Sequence, residues 1–335
     1  MDVKNHTYSP EWHEAIFNYL CKTYPFRPKL YLDWWLTVID GAGKDCWKKA
    51  VFLTDNGNII GCSLASVFRI YIENEVETYF TSGNTVLNPE YRGKGLSKYF
   101  YEQVNEFNNW IRVGFTDVAF KVMPRFVKSF APINPVNVYI SVNRAIVGQL
   151  FRKLLHKKNN GWKGFPADVS IGAKSRLKKI DDPDLITIPS NGRWTKDDAE
   201  FVRDKTFIKN RYFEIYCSDQ YGIYEYMSAN KSLGYIVVRK AVYGSFEMLS
   251  LVDYRFYSRK DETKAFLAVS RLARYNKIGL VITLSSRNYK LQLHPLTIKM
   301  KKKLSCATGM KSKQEIFNNM LITSADSDLD FVYYQ

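Results

Sequence analysis

Thr85-Val86-Leu87-Asn88-Pro89-Glu90-Tyr91-Arg92-Gly93-Lys94-Gly95-Leu96-Ser97 is the stretch on which the reading of the chain turns. Its first residues are apolar and β-prone, and Asn88-Pro89 ends them with a turn signal. After the two glycines, Leu96, Phe100, Val104, Phe107 and Ile111 recur at helical spacing. That stripe predicts one amphipathic helix, ending at Gly114. A glycine loop between a strand and a helix presents backbone N–H groups to an anion. The glycines let the chain turn tightly and let a phosphate approach the backbone without a Cβ in the way. Arg92, Lys94 and the helix dipole add positive potential. Two common phosphate loops do not fit. The pattern G-x-x-x-x-G-K-[ST] is absent, and G-x-G-x-x-G fails at Lys98.

Working outward, the N-terminal side predicts a helix after Ser9-Pro10, with Trp12, Ile16, Tyr19 and Leu20 on one face, and a second short helix around Trp34 and Trp35. Ala50 to Thr54 is a short strand, Asp55-Asn56-Gly57-Asn58 a hairpin turn, and Ile59 to Ile72 a long strand with Gly61 near its start. Thr78 to Leu87 follows as a strand. Beyond the helix, Phe115 to Val122 reads as a strand, Asn137 to Val142 as another, and Ala145 to Leu155 as a basic helix. Periodicity fades between residues 159 and 191, which read as a connection. The second half opens on a helix capped by Thr195, with Asp197 and Asp198 in its first turn. Strands are expected near Ile223 to Met227, Leu233 to Val242 and Ser245 to Tyr254, then a helix from Thr263 to Tyr275 and a strand from Leu280 to Leu284. The string Asp55 to Cys62 matches Ser228 to Tyr235 in pattern, so the two halves share a plan. The expected domains are 1–160, a connection at 161–190, and 191–335.

The 335 residues, 46% of them hydrophobic, suffice for two packed cores. The formal charge of +16 invites nucleic acid, but there is no RNP aromatic pattern or zinc-finger spacing, and the basic clusters are scattered. A polyanionic small molecule accounts for the charge equally well. Five cysteines, Cys21, Cys46, Cys62, Cys217 and Cys306, are widely spaced with no C-x-x-C, which fits reduced thiols in a cytoplasm. The N-terminus lacks a signal-peptide pattern, and no apolar run has membrane-spanning length, so no membrane role is expected. His6, His13, His156 and His294 are too dispersed to suggest a metal.

The loop resembles that of the GCN5-related N-acetyltransferases, whose R-x-x-G-x-small pattern falls on Arg92, Gly95 and Ser97. Val86-x-Asn88-Pro89-x-Tyr91 is similar to the family's approach to that loop. Ser97 departs from the more usual Gly or Ala. The resemblance implies an α+β fold, an α/β sandwich with a mixed, mostly antiparallel sheet flanked by helices, here present twice in tandem. It implies acetyl-CoA as co-substrate, with no metal. The pyrophosphate would meet the amides of Arg92, Gly93, Lys94, Gly95, Leu96 and Ser97, and the pantetheine arm would run along Val86 and Leu87. The acyl group would pass directly to a primary amine, an amino sugar or another small amine, with a base taking the amine's proton and an acid protonating the leaving thiolate.

The proton-moving residues are less clearly marked. The family often places a base on the strand before the loop, where Glu77 shares a face with Tyr79; the plain alternative is a solvated carboxylate beside Glu73 and Glu75. The family's general acid is often a Tyr on a later helix. The Pro124 to Phe130 stretch offers none, and in Leu150-Phe151-Arg152-Lys153-Leu154 a Phe stands where the Tyr should be. Tyr139 is the remaining candidate. The second half reads Leu251 to Arg259 at the matching place, with no glycine, so one cofactor site is expected. Two alternatives stay open: a non-catalytic binding or regulatory protein of this fold, and an aminoacyl-tRNA-dependent transferase of similar two-domain build. The sequence sets no oligomeric state.

Overall fold

The computed structural model describes residues 2–25, 29, 30, 32, 50–155, 162–190, 199–243, 246–287 and 296–326. The expected helix around Trp34 and Trp35, the Thr195 cap with Asp197 and Asp198, and Cys46, His156 and His294 lie outside these residues.

From the N-terminus the chain forms β1 (Val3–Thr7), α1 (His13–Thr23), β2 (Val51–Asp55), β3 (Asn58–Ile72), β4 (Glu75–Leu87), α2 (Ser97–Glu102), β5 (Ile111–Phe115) and α3 (Asp117–Val122). β6 (Ala131–Val142), α4 (Ala145–Leu154), β7 (Asp168–Gly172), β8 (Ser175–Lys179), β9 (Glu200–Phe201) and α5 (Lys205–Ile208) follow. The rest is β10 (Tyr221–Ser228), β11 (Lys231–Tyr243), β12 (Phe246–Phe256), α6 (Arg259–Tyr275), β13 (Leu280–Ser285), β14 (Leu296–Thr308) and α7 (Gln314–Asn319).

Two compact units result, and neither is one unbroken stretch of chain. The first comprises Met1–Asn134 with Leu304–Asn319, the second Pro135–Lys303 with Met320–Gln335. The expected division into 1–160, 161–190 and 191–335 is therefore displaced. The boundary falls inside β6, and the end of β14 returns to the first unit, where Ser305 to Thr308 pair antiparallel with β5. The expected connection at 161–190 is also structured: β7 and β8 form an antiparallel hairpin, and β8 pairs with β10.

In the first unit, β1, β2, β3 and β4 form an antiparallel sheet in that order. Asn56 and Gly57 both have positive φ, which gives the turn a twist that matches its strands. In the second unit, β10, β11 and β12 repeat this meander around Ala229 and Asn230, again both at positive φ. Next come α6 and β13, and β13 pairs parallel to β12. The shared plan extends to one glycine in each unit. Gly61 lies opposite Leu87 and Gly234 opposite Phe256. A Cβ on Gly61 would sit 2.8 Å from Leu87 Cδ1 and 3.0 Å from Phe100 Cζ, and one on Gly234 would sit 2.2 Å from the Arg255 carbonyl oxygen.

The helix after the loop is shorter than its stripe predicts. α2 ends at Glu102, a tighter turn runs on to Glu106, and Ile111 opens β5 rather than closing a helix. Phe107, Trp110 and Phe115 are still buried in the same cluster as Tyr101 and Val104, so the stripe records burial across three different local structures. Gly114, expected at the helix end, lies inside β5. The expected strand from Phe115 to Val122 is mostly helix α3, because the Thr116 side chain accepts from the Ala119 amide and caps it.

Candidate functional site

The loop is held from three sides within the first unit. At its start, the Asn88 amide donates to the Ile60 carbonyl at 2.8 Å, and the Tyr19 hydroxyl of α1 lies 2.9 Å from Asn88 Oδ1. In its middle, the Tyr91 hydroxyl donates to Asp55 Oδ2 at 2.8 Å, tying the loop to the β2–β3 turn. That bond holds the Asp55 carboxyl below its usual range and pushes the Tyr91 phenol up. At its end, Leu96 and Phe100 are buried with Val51, Leu53 and Ile60. Gly61 lets this packing close, as the clash distances above require.

Gly93 and Gly95 both have φ of +77°, a left-handed conformation that disfavours any residue with a Cβ. A Cβ at either would meet no protein atom within 4 Å, so the glycines answer a backbone demand and not a packing one. The Arg92 amide bonds to the Pro89 carbonyl, and the Lys98 amide to that of Gly95. Between them, the N–H groups of Gly93, Lys94, Gly95, Leu96 and Ser97 enter no backbone hydrogen bond among the described residues. Five consecutive donors are thus gathered in one loop. Arg92 Nε donates to the Leu87 carbonyl at 3.0 Å, and Lys94 Nζ lies 5.1 Å from the Tyr91 ring centroid, so both cations stay against the loop.

The strand leading into the loop is open on one edge. β4 pairs with β3 on one side; on the other, its only backbone bridge among the described residues is the parallel one between Phe80 and Trp110, the residue before β5. Beyond Phe80 the two strands diverge, and β5 takes β14 as its partner. From Thr81 to Leu87 the outer edge of β4 therefore has no strand partner among the described residues, and its backbone groups there can serve a ligand carrying amides. The β3–β4 register slips between Cys62–Val86 and Leu64–Gly83, which marks a bulge in β4. The Ser63 and Thr85 hydroxyls pin it at 2.9 Å. Arg112 Nη1 of β5 donates to Ser82 Oγ at 2.9 Å, spanning the divergence. Cys62 is fully buried, and burial pushes its thiol up to about 12, so it is no thiolate nucleophile.

The loop residues Arg92 to Ser97 and the strand residues Val86 and Leu87 are thus contiguous in the structure. Glu77 is at the other end of β4, before the Phe80 bridge. It shares a face with Tyr79, whose hydroxyl donates to Glu77 Oε2 at 3.0 Å. Lys313, which the sequence gives no reason to place here, donates to Glu77 Oε1 at 2.7 Å and pairs with Glu73 at 2.9 Å. Burial works against the charged form of Lys313, but the two glutamates outweigh it and raise its pKa. Tyr139 belongs to the second unit, where it is buried and donates to the Arg287 carbonyl at 3.2 Å. Phe151 is in that unit too and is exposed.

In the second unit the strand passes straight into the helix. The Tyr257 amide bonds to the Leu233 carbonyl, as Asn88 does to Ile60. Ser258 then caps α6, its side chain accepting from the Asp261 amide at 3.2 Å. Two residues, Tyr257 and Ser258, stand where the first unit has Asn88 to Leu96. This unit holds instead a buried charged cluster that the sequence does not reveal. Arg203 pairs with Asp253 at 2.8 Å and with Asp326, and Tyr235 and Thr323 also donate to Asp253.

No protein-family model and no curated protein matches the sequence. Solved structures do match the fold. A GCN5-related N-acetyltransferase from Anabaena variabilis ATCC 29413 aligns with 91% of this chain and 72% of its own, at a TM-score of 0.57 and 13% identity. The N-myristoyltransferase of Saccharomyces cerevisiae, solved with bound myristoyl-CoA and inhibitors, aligns with 92% of this chain and 79% of its own, at 0.56 and 10%. A conserved protein of unknown function from Enterococcus faecalis V583, described as a probable N-acyltransferase, aligns with 92% and 72%, at 0.56 and 11%. The chain has the fold of the GCN5-related N-acetyltransferase superfamily in a two-domain form.

Proposed function

We propose that the chain is an acyltransferase that takes an acyl group, most simply acetyl, from acyl-coenzyme A and passes it to a primary amine of a small molecule such as an amino sugar. One observation carries the reading: a loop with five unengaged amides stands at the end of a strand whose outer edge is open. Diphosphate oxygens need a cluster of N–H donors, and the pantetheine amides need an open strand edge. The first unit supplies both in sequence, from Val86 and Leu87 to the amides of Gly93 to Ser97. Lys94 and Arg92 add charge beside them. In the transfer, the amine nitrogen attacks the thioester carbonyl carbon, the C–S bond breaks, the nitrogen loses a proton and the sulfur gains one. Backbone N–H groups at the open edge of β4 are suited to polarise the carbonyl oxygen.

Glu77 remains a candidate base only if its carboxylate leaves Lys313 when an amine binds. Tyr139, with its proton committed to a backbone carbonyl, serves as the acid only if that bond opens. These commitments favour a second reading, in which the protein binds acyl-CoA without turning it over. Calorimetry with coenzyme A, acetyl-CoA and myristoyl-CoA, followed by thiol release over a panel of amines, decides between them. Binding with release supports transfer, binding without release supports the non-catalytic reading, and absence of binding removes both.

A further inference from the structure

Helix α4 of the second unit is built inside out. Its polar side chains face the protein: Gln149 donates to the Glu247 carbonyl at 2.7 Å and accepts from the Gly279 amide at 2.9 Å, and Arg152 donates to the Lys277 carbonyl at 3.0 Å. Apart from Ala145 and Ile146, its apolar side chains face outward. Val147, Leu150, Phe151, Leu154 and Leu155 form one stripe at helical spacing, with Phe151 62% and Leu154 75% exposed. An ordinary surface helix does the reverse.

Cations border this stripe. Arg144, just before the helix, and Lys153, on it, are exposed, and Lys157 and Lys158 follow it in sequence. Residues 144–158 contain no Asp or Glu. We propose that this face docks on an anionic lipid surface. Protruding Leu, Phe and Val side chains need no shaped partner at a bilayer interface, and anionic headgroups neutralise the cations around them. A second copy of the face would oppose cation to cation. No helix among the described residues is long and apolar enough to span a membrane, so the element lies on the surface and does not cross it. The sequence expectation of no membrane rests on the missing span, which has no bearing on a surface-lying helix.

Co-sedimentation with vesicles tests this, using pure phosphatidylcholine and phosphatidylcholine with about 30 mol% phosphatidylglycerol. The protein is expected to pellet with the anionic vesicles alone, and less in about 0.5 M than in about 0.1 M salt. Phe151→Ser with Leu154→Ser, and separately Arg144→Glu with Lys153→Glu, are each expected to weaken binding at least about tenfold. All four residues are exposed, and unchanged circular dichroism and melting would show that the variants fold. No binding to anionic vesicles, binding unchanged in both variants, or a solution dimer that Phe151→Ser with Leu154→Ser dissociates would overturn the proposal.

Discussion

Replacing Gly95 with alanine isolates the backbone contribution of the loop. At φ of +77° the added Cβ meets nothing within 4 Å, so the change introduces no clash and removes no contact. What it introduces is the left-handed penalty for an L-residue, roughly 1–2 kcal/mol. The loop relaxes away from the conformation that gathers the five amides, and binding must restore it. The dissociation constant for coenzyme A should therefore rise roughly 5- to 30-fold, as that free energy converts. Gly164→Ala is the control: it has φ of +85°, also lacks neighbours within 4 Å, and lies in the other unit. It should carry a similar stability cost and leave affinity unchanged. Calorimetry gives the affinities and chemical denaturation the stabilities. If Gly95→Ala keeps both the stability and the affinity of the wild type, its loop has relaxed without cost to binding and the loop amides do not hold the cofactor.

Three further outcomes follow from named contacts. Tyr91→Phe should weaken coenzyme A binding a few-fold; because the bond depresses the Asp55 pKa, its support is present above the ordinary carboxylate range and lost as pH falls through the lower folded value, so wild-type and variant affinities should converge in acid. Lys313 has a raised pKa, so its pairing contributes below the ordinary lysine value of 10.5 and fades as pH rises through the higher folded one; the melting temperature of the wild type should fall more steeply above that pH than that of Lys313→Met. Arg203→Met strands Asp253 and Asp326 in a dry interior and should cost about 3–5 kcal/mol in denaturant unfolding, with coenzyme A binding by the folded protein retained.

The parts of the fold that local chemistry dictates were legible in the sequence. The Asn56-Gly57 turn, the long strands on either side of it, and the glycine loop all rest on backbone preferences that need no distant partner. The repeat was legible for the same reason, since Asn56-Gly57 and Ala229-Asn230 answer the same geometric demand. The overextended helix shows the limit of periodicity: Phe107 and Ile111 are buried as a helical stripe would have them, yet a turn and a strand carry them there. β14 escaped notice because Lys299 to Lys303 look like a solvated charge run, and its pairing with β5 joins residues about 190 positions apart. The Glu77–Lys313 pair escaped for the same reason, spanning 236 positions. The surroundings of Glu77 and Tyr139 could not be read because their partners, Lys313 and Arg287, lie far along the chain.

That return of the C-terminal segment also sets the order in which the protein can be finished on the ribosome. When Phe115 has emerged, the loop and the first four strands exist, but β5 has no partner on its outer edge and Glu77 has no cation. The segment from Leu304 to Asn319 follows about 190 residues later, roughly 10 to 40 s at ordinary rates of synthesis. Throughout that interval the first unit carries an unpaired strand edge, while the strands and helices of the other unit are made. The unit begun first is therefore among the last to close, and a chain cut short before Leu304 would have the glycine loop without the strand that pairs with β5.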